Sequence, residues 1–320
     1  MLRYVLRRMA QLVPMLVIIT LIVFVLIHLA PYDVIDAITT PSMSDETKQL
    51  MREKFGLDQP MIVQYGLWLW NAVRGDLGFS LVSRHSVAAD LAERIPNTLS
   101  LIGPAYLTAF ILAIVLGLIA GSRRGGRLDK VIDGICSVAI ATPTFWFALL
   151  VIYLFGYQLR LFPILGMHSV GKQGDPADFL AHFAMPYLVL VVALFPDLTR
   201  YVRASTIAQF DDDYVLVQRA YGASRGFILS RHVSRNVLLP IITQLGLALP
   251  TLVTGAIVTE SIFGWPGIGQ YILTSSAALD YPVILAVVLV SAVLTVLGNL
   301  IADVLYAAAD PRIRLTEGAK

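Results

Sequence analysis

Six stretches of this 320-residue chain are apolar for long enough to cross a lipid bilayer, a property that removes most folds otherwise open to it. A hydrocarbon core about 30 Å thick takes about 20 mostly apolar residues as a helix. The stretches are 9–30, 99–120, 135–156, 183–198 (extendable to Tyr201), 238–257 and 283–307. Only 14% of residues are charged and mean hydropathy is +0.73, whereas a soluble domain carries roughly 25% charged residues. That is too little charge to cover a water-facing surface, which excludes a disordered chain and a soluble enzyme. The expected class is an all-α integral membrane protein with six transmembrane helices. The first stretch exceeds the roughly 7–15-residue core of a cleaved signal and lacks a small-x-small site after it, so it reads as a retained span.

Six crossings put both ends on one side, and the basic residues choose which. Sixteen of the 24 Lys and Arg fall before span one (Arg3, Arg7, Arg8), between spans two and three (Arg123, Arg124, Arg127, Lys130), between four and five (Arg200, Arg203, Arg219, Arg225, Arg231, Arg235) and after six (Arg312, Arg314, Lys320). Short loops on the other side hold only Arg160 and Lys172. Residues 31–98 form too long a loop for their charges to count. Both termini are expected to be cytoplasmic.

Residues 31–98 read as a small external subdomain. Ser44 caps a helix opening on Asp45 and Glu46, where carboxylates favour the positive end of the dipole; Gly56 suits the left-handed position after it. A second helix over 61–73, with Trp68 and Trp70, is expected near the membrane interface. An external cap on the bundle and a docking platform for an outside partner both fit.

The segment 199–237 is too polar to span and too patterned to be slack. Asp211, Asp212 and Asp213 open a short helix through Tyr214, Val217 and Ala220 that stops at Gly222, and a new one starts at Ser224. The two form a knob on the expected cytoplasmic face. After span five, Gly264-Trp265-Pro266-Gly267-Ile268-Gly269 forbids a continuing helix and favours a tight, partly re-entrant turn. Such backbone is tolerated at membrane depth only against protein or water.

Carboxylates in spans need an interior position or a partner. Asp197 is expected to pair locally with Arg200, and Asn299 lies one turn before Asp303, on the same helix face. Glu260 closes span five. A proton relay through these groups and plain interhelical packing are the two readings. His28, His168 and His182 lack metal-ligand spacing and read as interfacial. Cys136 is the only cysteine, so no intramolecular disulfide is possible, and it reads as a buried thiol. There is no G-x-x-x-x-G-K-[ST] phosphate loop, H-E-x-x-H or C-x-x-C. Any ATP used must be bound on another chain, and nothing indicates nucleic-acid binding.

Laid end to end, a set of short motifs resembles one family. They are Leu6-Arg7-Arg8 with Pro14, His28-Leu29-Ala30-Pro31, Phe55-Gly56-Leu57-Asp58-Gln59-Pro60, Val63-Gln64-Tyr65, Arg74-Gly75-Asp76-Leu77-Gly78 and Ile95-Pro96-Asn97-Thr98-Leu99. Further on come Asp213-Tyr214-Val215, Arg219-Ala220-Tyr221-Gly222, Arg231-His232, Asn236 to Pro240, Glu260-Ser261-Ile262-Phe263, Trp265-Pro266-Gly267-Ile268-Gly269, Asp280-Tyr281-Pro282 and Asp310-Pro311-Arg312-Ile313-Arg314. Over nearly its full length the chain resembles the membrane permease subunit of an ABC importer, in the dipeptide, oligopeptide and nickel branch, "B" type. It departs from the family pattern at Pro31-Tyr32-Asp33-Val34, Gln218 and Tyr221.

The resemblance implies a type I importer permease fold in a bacterial or archaeal inner membrane. It implies four kinds of partner: a second homologous permease, two ABC ATPase subunits, an external solute-binding protein and the bilayer. This chain would hold no cofactor and perform no catalysis, with ATP and Mg on the ATPases. Asp213, Tyr214, Arg219, Ala220, Tyr221, Gly222 and Arg231 would form the ATPase-coupling loop. Glu260, Trp265, Pro266, Gly267 and Gly269 would form the external gate or binding-protein contact, with Asn299 and Asp303 as intramembrane polar residues. The implied parts are 1–30 (tail and first span), 31–98 (external subdomain), 99–307 (five-helix core) and 308–320 (tail). The cargo would be a dipeptide, oligopeptide or similar small polar solute, nickel chelates included. The alternative is an autonomous proton-coupled carrier working through Asp303 or Glu260.

Overall fold

The computed structural model describes residues 2–29, 43–56, 58–238, 241 and 257–309, with backbone alone for 2–12, 51, 54–55 and 301–309. Among the described residues every regular element is helical, and the only β feature is an isolated Phe79–Ser86 bridge. The elements are α1 (Leu2–His28), α2 (Asp45–Phe55), α3 (Met61–Val73), α4 (Val87–Ser122), α5 (Arg127–Ala141), α6 (Thr144–Val151, continued as π-helix Ile152–Gln158), α7 (Pro176–Phe210), α8 (Asp213–Ala220), α9 (Arg225–Ile228, continued as π-helix Leu229–Val233), α10 (Ile257–Phe263), α11 (Ile268–Ala277) and α12 (Tyr281–Ala309).

Among the described residues three helices are long and apolar enough to cross a membrane: α4, α7 and Tyr281–Leu300 of α12. α5 and α6 pass that test together but bend by 97° at their junction. The bend interrupts the straight span expected over 135–156, and its cause is local. Thr142 precedes Pro143, whose ring disfavours helical geometry in its neighbour, and Thr142 is extended at φ −91°, ψ 117°. Of the other expected spans, α1 carries an apolar stretch over Val13–His28. The fifth, 238–257, lies almost wholly outside the described residues, as do the Pro31–Val34 and Asp310–Arg314 motifs.

The chain divides into two compact units: Met1–Asn97 with Pro266–Leu297, and Thr98–Trp265 with Gly298–Lys320. In the first, the Ser44 hydroxyl accepts the Thr47 N–H and Gly56 closes α2 at φ 67°, as expected from sequence. Val87 and Leu91 pack with Ile268, Tyr271, Val283, Ala286 and Val287. The Tyr271 hydroxyl donates to Asp90 Oδ2 at 2.8 Å with the Arg94 guanidinium over its ring. Burial, and then the Asp90 carboxylate, push this phenol far above its ordinary pKa, so it remains the donor.

Asp280, at the start of α12 and buried, gathers a loop from the far side of the sequence. Its carboxylate accepts the Ser80 hydroxyl and the N–H groups of Leu81 and Val82. Losing charged hydrogen bonds of this kind costs about 1.5–3 kcal/mol. Asp280→Ala is therefore expected to free the loop and speed tryptic cleavage after the exposed Arg84 by about 10-fold or more, the rate factor such a free energy implies. Unchanged digestion kinetics would show that the loop is held by other means.

Candidate functional site

The second unit contains the 199–237 knob. Asp212 begins α8 by accepting the Asp213 N–H (2.8 Å). The helix closes where the Gly222 N–H reaches Arg219 O at 2.9 Å and the Ala223 N–H reaches Gln218 O at 3.0 Å. This paired closure needs a left-handed residue, and Gly222 supplies it at φ +80°. Two residues on, the Ser224 hydroxyl accepts the Phe227 N–H and starts α9, as the sequence suggests.

Gly222-Ala223-Ser224-Arg225-Gly226 also spells the G-x-S-x-G of a nucleophile elbow, a motif that needs a strand before the serine. Here a helix precedes it and the serine oxygen is occupied as a cap. The loop Gly166–Gln173 likewise nears a phosphate-loop spelling but ends in Gln173, and its Ser169 is bound to Asp178.

The knob has an apolar inside. Val215, Ile228, Val233 and Val237 are buried with Val202 and Phe210 of α7, and Phe110, Ile114 and Leu118 of α4 pack against them. A polar clamp sits beside this core: the Tyr214 hydroxyl and the Asn236 amide both donate to Gln209 Oε1, at 3.0 and 2.9 Å. Burial raises the Tyr214 phenol, keeping it a donor. Arg225 lies over the Phe210 ring.

Apolar side chains stand on the outside as well, among charged ones. Leu216 (69%), Val217 (52%), Tyr221 (86%) and Phe227 (52%) are exposed. Asp213, Arg219, Ala220, Gly222 and Arg231 are exposed, while Tyr214 is half-buried. Six of the seven expected coupling residues are thus exposed on the knob, while Tyr214 turns into the polar clamp.

The expected gate residues occupy different settings. Glu260 and Trp265 are fully buried in the second unit, where the Thr98 hydroxyl donates to Glu260 Oε1 at 2.7 Å and the Trp265 N–H to Glu260 O at 2.8 Å. The Trp265 ring packs against Phe179 and Phe183. Pro266, Gly267 and Gly269 belong to the first unit, where Asn97 Nδ2 donates to Pro266 O at 3.1 Å and Gly267 precedes α11. None of the five is exposed. Asn299 Oδ1 is buried without a hydrogen-bond partner among the described residues, and the side chain of Asp303 lies outside them.

One local expectation fails. Asp197 is exposed and does not hold Arg200, which reaches across to α5 instead: its Nη2 donates to Ser137 Oγ at 2.6 Å and its Nε lies 3.6 Å from Asp133. His182 is buried within the protein, its Nδ1 2.8 Å from Asp178 O. Cys136 is buried, as expected.

Sequence reasoning passes over two features that hold the knob's supporting helices. Arg203 of α7 makes a two-pronged pair with buried Asp129 of α5 (2.6 and 2.9 Å), which also takes the Gly125 N–H. Gly117 and Gly121 of α4 meet α7 with no room for a side chain; their small-xxx-small spacing was a legible signal.

This arrangement has counterparts among known proteins. A solved structure of the MetNI methionine ABC transporter, in an inward-facing form, shares the fold at a TM-score of 0.52 and 15% identity, covering 69% of this chain and 96% of that one. The oligopeptide transport system permease protein AppB of Bacillus subtilis (strain 168) is 38% identical over 311 residues, covering 97% of this chain and 98% of AppB. The glutathione transport system permease protein GsiC of Escherichia coli (strain K12) is 36% identical over 314 residues, covering 98% and 99%. Residues 1–102 match the N-terminal part of the binding-protein-dependent transport system membrane components, and residues 113–315 match their main domain. The chain belongs to the binding-protein-dependent transport system inner membrane component family, the permeases of ABC importers.

Proposed function

We propose that this chain is one of two transmembrane permeases of an ATP-driven importer for dipeptides, oligopeptides or a similar small polar solute, and that the 199–237 knob couples it to an ATPase. The observation that carries the coupling is the lip around Gly222: Leu216, Val217, Tyr221 and Phe227 are exposed on a knob whose interior is already packed. Rigid backing with an uncovered apolar face suits a part that must transmit force to a partner. The relatives' names, oligopeptide and glutathione permeases, support the cargo class.

In this reading the chain crosses the membrane six times with both termini cytoplasmic. Residues 1–30, 31–98, 99–307 and 308–320 are its tail with first span, external subdomain, five-helix core and C-terminal tail. A second permease, two ATPases carrying ATP and Mg, and an external solute-binding protein complete the machine. The turn at Trp265–Gly269 serves as the outer gate, acting from within the fold. A proton-coupled carrier gains no support from the relatives, which belong to binding-protein-dependent transport systems.

Tyr221→Glu, which places a charge on the lip without touching the core, is expected to abolish co-purification of the ATPases and uptake, while the chain still inserts. Gly222→Trp adds backbone strain of about 1–2 kcal/mol at the left-handed position and should uncouple ATP hydrolysis from uptake. Full uptake in both variants, or uphill transport by this chain alone in vesicles, would refute the coupling role.

A further inference from the structure

Helix α3 has no charged residue over its 13 positions, only Gln64 and Asn71 among large polar side chains, and apolar side chains on every face. A helix apolar all round is buried in protein or lipid. At about 20 Å it is too short to span, and apolar segments of this length are buried core helices or interfacial or re-entrant segments.

One face is accounted for. Tyr65 is buried with Phe24 and Leu285, with Trp68 and Leu69 against them. The Tyr65 hydroxyl donates to Val17 O at 2.9 Å and lies 2.9 Å from Thr20 Oγ1. Gln64 Oε1 lies 3.1 Å from Nε2 of His28, the last residue of α1. Thr20 is eight residues before that end, about 12 Å along the axis. So α3 lies alongside the apolar part of α1 instead of standing above it.

The other face is bare: Ile62, Leu67, Trp70 and Val73 are each more than half exposed. α1 likewise carries apolar side chains in the open, with Ile18, Ile22 and Leu26 each more than half exposed. Arg74, just past the helix, stacks its guanidinium 4.4 Å over the Trp70 ring. An indole whose ring lies at the edge of the acyl chains, with a cation over it that can meet phosphate, suits the membrane interface where Trp concentrates.

We infer that α3 is a membrane-embedded element, lying in the leaflet into which the His28 end of α1 emerges. Ile62, Val63, Leu67, Trp70 and Val73 face acyl chains, and Arg74 faces lipid phosphate. Part of the segment between the first two spans thus sits in lipid and braces α1. This rests on the proposal that α1 is a span.

The test is nitroxide accessibility in the full-length Cys136→Ser protein, in nanodiscs of phosphatidylethanolamine and phosphatidylglycerol. Single labels go on Val63→Cys, Leu67→Cys and Trp70→Cys, so that one poorly folded variant does not silence the measurement. Ile22→Cys and Val170→Cys are the references. The logarithm of the ratio of collision rates with oxygen and with a water-soluble nickel chelate should be positive at 22, 63, 67 and 70 and negative at 170. Negative values at 63, 67 and 70 with a positive one at 22 would place α3 in water and overturn this inference alone. Low collision with both reagents at 63, 67 and 70 would mean protein covers the face and would also overturn it. A negative value at 22 would take down the span reading and this inference together.

Discussion

The Gly121→Leu protein is expected to unfold or fail to accumulate, while Gly134→Ala accumulates at or above the level of the unmodified chain. At Gly121, a Cβ would stand 2.5 Å from Thr206 Cβ and 2.9 Å from Arg203 O. At Gly117 it would stand 2.5 Å from Val202 Cβ and 2.9 Å from Thr199 O. Both glycines press α4 against α7, so no rotamer change relieves the clash and the helix backbones must part. Overpacking costs about 1–3 kcal/mol, occasionally more. In lipid, close packing of small residues is itself a main source of helix association, so the loss is compounded. Gly134 of α5 has nothing within 4 Å of a built Cβ, and replacing a helical glycine by alanine there gains up to about 1 kcal/mol. Thermal denaturation followed by size-exclusion of the full-length protein reads both signs. Equal stability of the two variants would mean that the α4–α7 contact yields without cost.

The second large effect is an asymmetry. Arg203→Met should destabilise more than Asp129→Asn, because the Asp129 side chain is 3% exposed and that of Arg203 30%. Removing the arginine strands a buried carboxylate with only the Gly125 N–H, whereas removing the charge on Asp129 leaves Arg203 partly able to reach water. Breaking one side of a buried pair costs about 3–5 kcal/mol, and replacing both with apolar residues of similar size is often near neutral. Arg203→Met with Asp129→Leu should therefore regain most of the loss. Additive losses in a double-mutant cycle would show that the pair does not act as a unit. The pair ties α5 to the stem of the knob, so Arg203→Met should also weaken coupling before it prevents insertion.

What was legible beforehand were relations confined to a few neighbouring residues. Ser44 and Gly56 bracket α2 because caps are satisfied within one turn. The turn at Gly222 and restart at Ser224 are local in the same sense. The bend at Thr142 also had a local signal in Pro143, but the surrounding run is so apolar that a straight span is the simpler reading.

Contacts between helices were not legible in this way. Asp197 and Arg200 share a helix, yet Arg200 turns toward Asp133 and Ser137, whose position depends on how α5 is rotated against α7. The same rotation pairs Arg203 with Asp129 and brings Gln209 within reach of Tyr214 and Asn236.

Hydrophobic length and turn residues thus determined on their own that the chain is helical and embedded in a membrane, because burying apolar helices in lipid depends on composition and spacing along the chain, while the ordered motifs carried the resemblance to importer permeases that the relatives bear out. Which faces meet, which charges pair, and that α3 lies beside α1 were decided only by the tertiary structure. Those outcomes turn on helix rotation and crossing, for which a linear pattern carries several near-equal solutions until side chains pack.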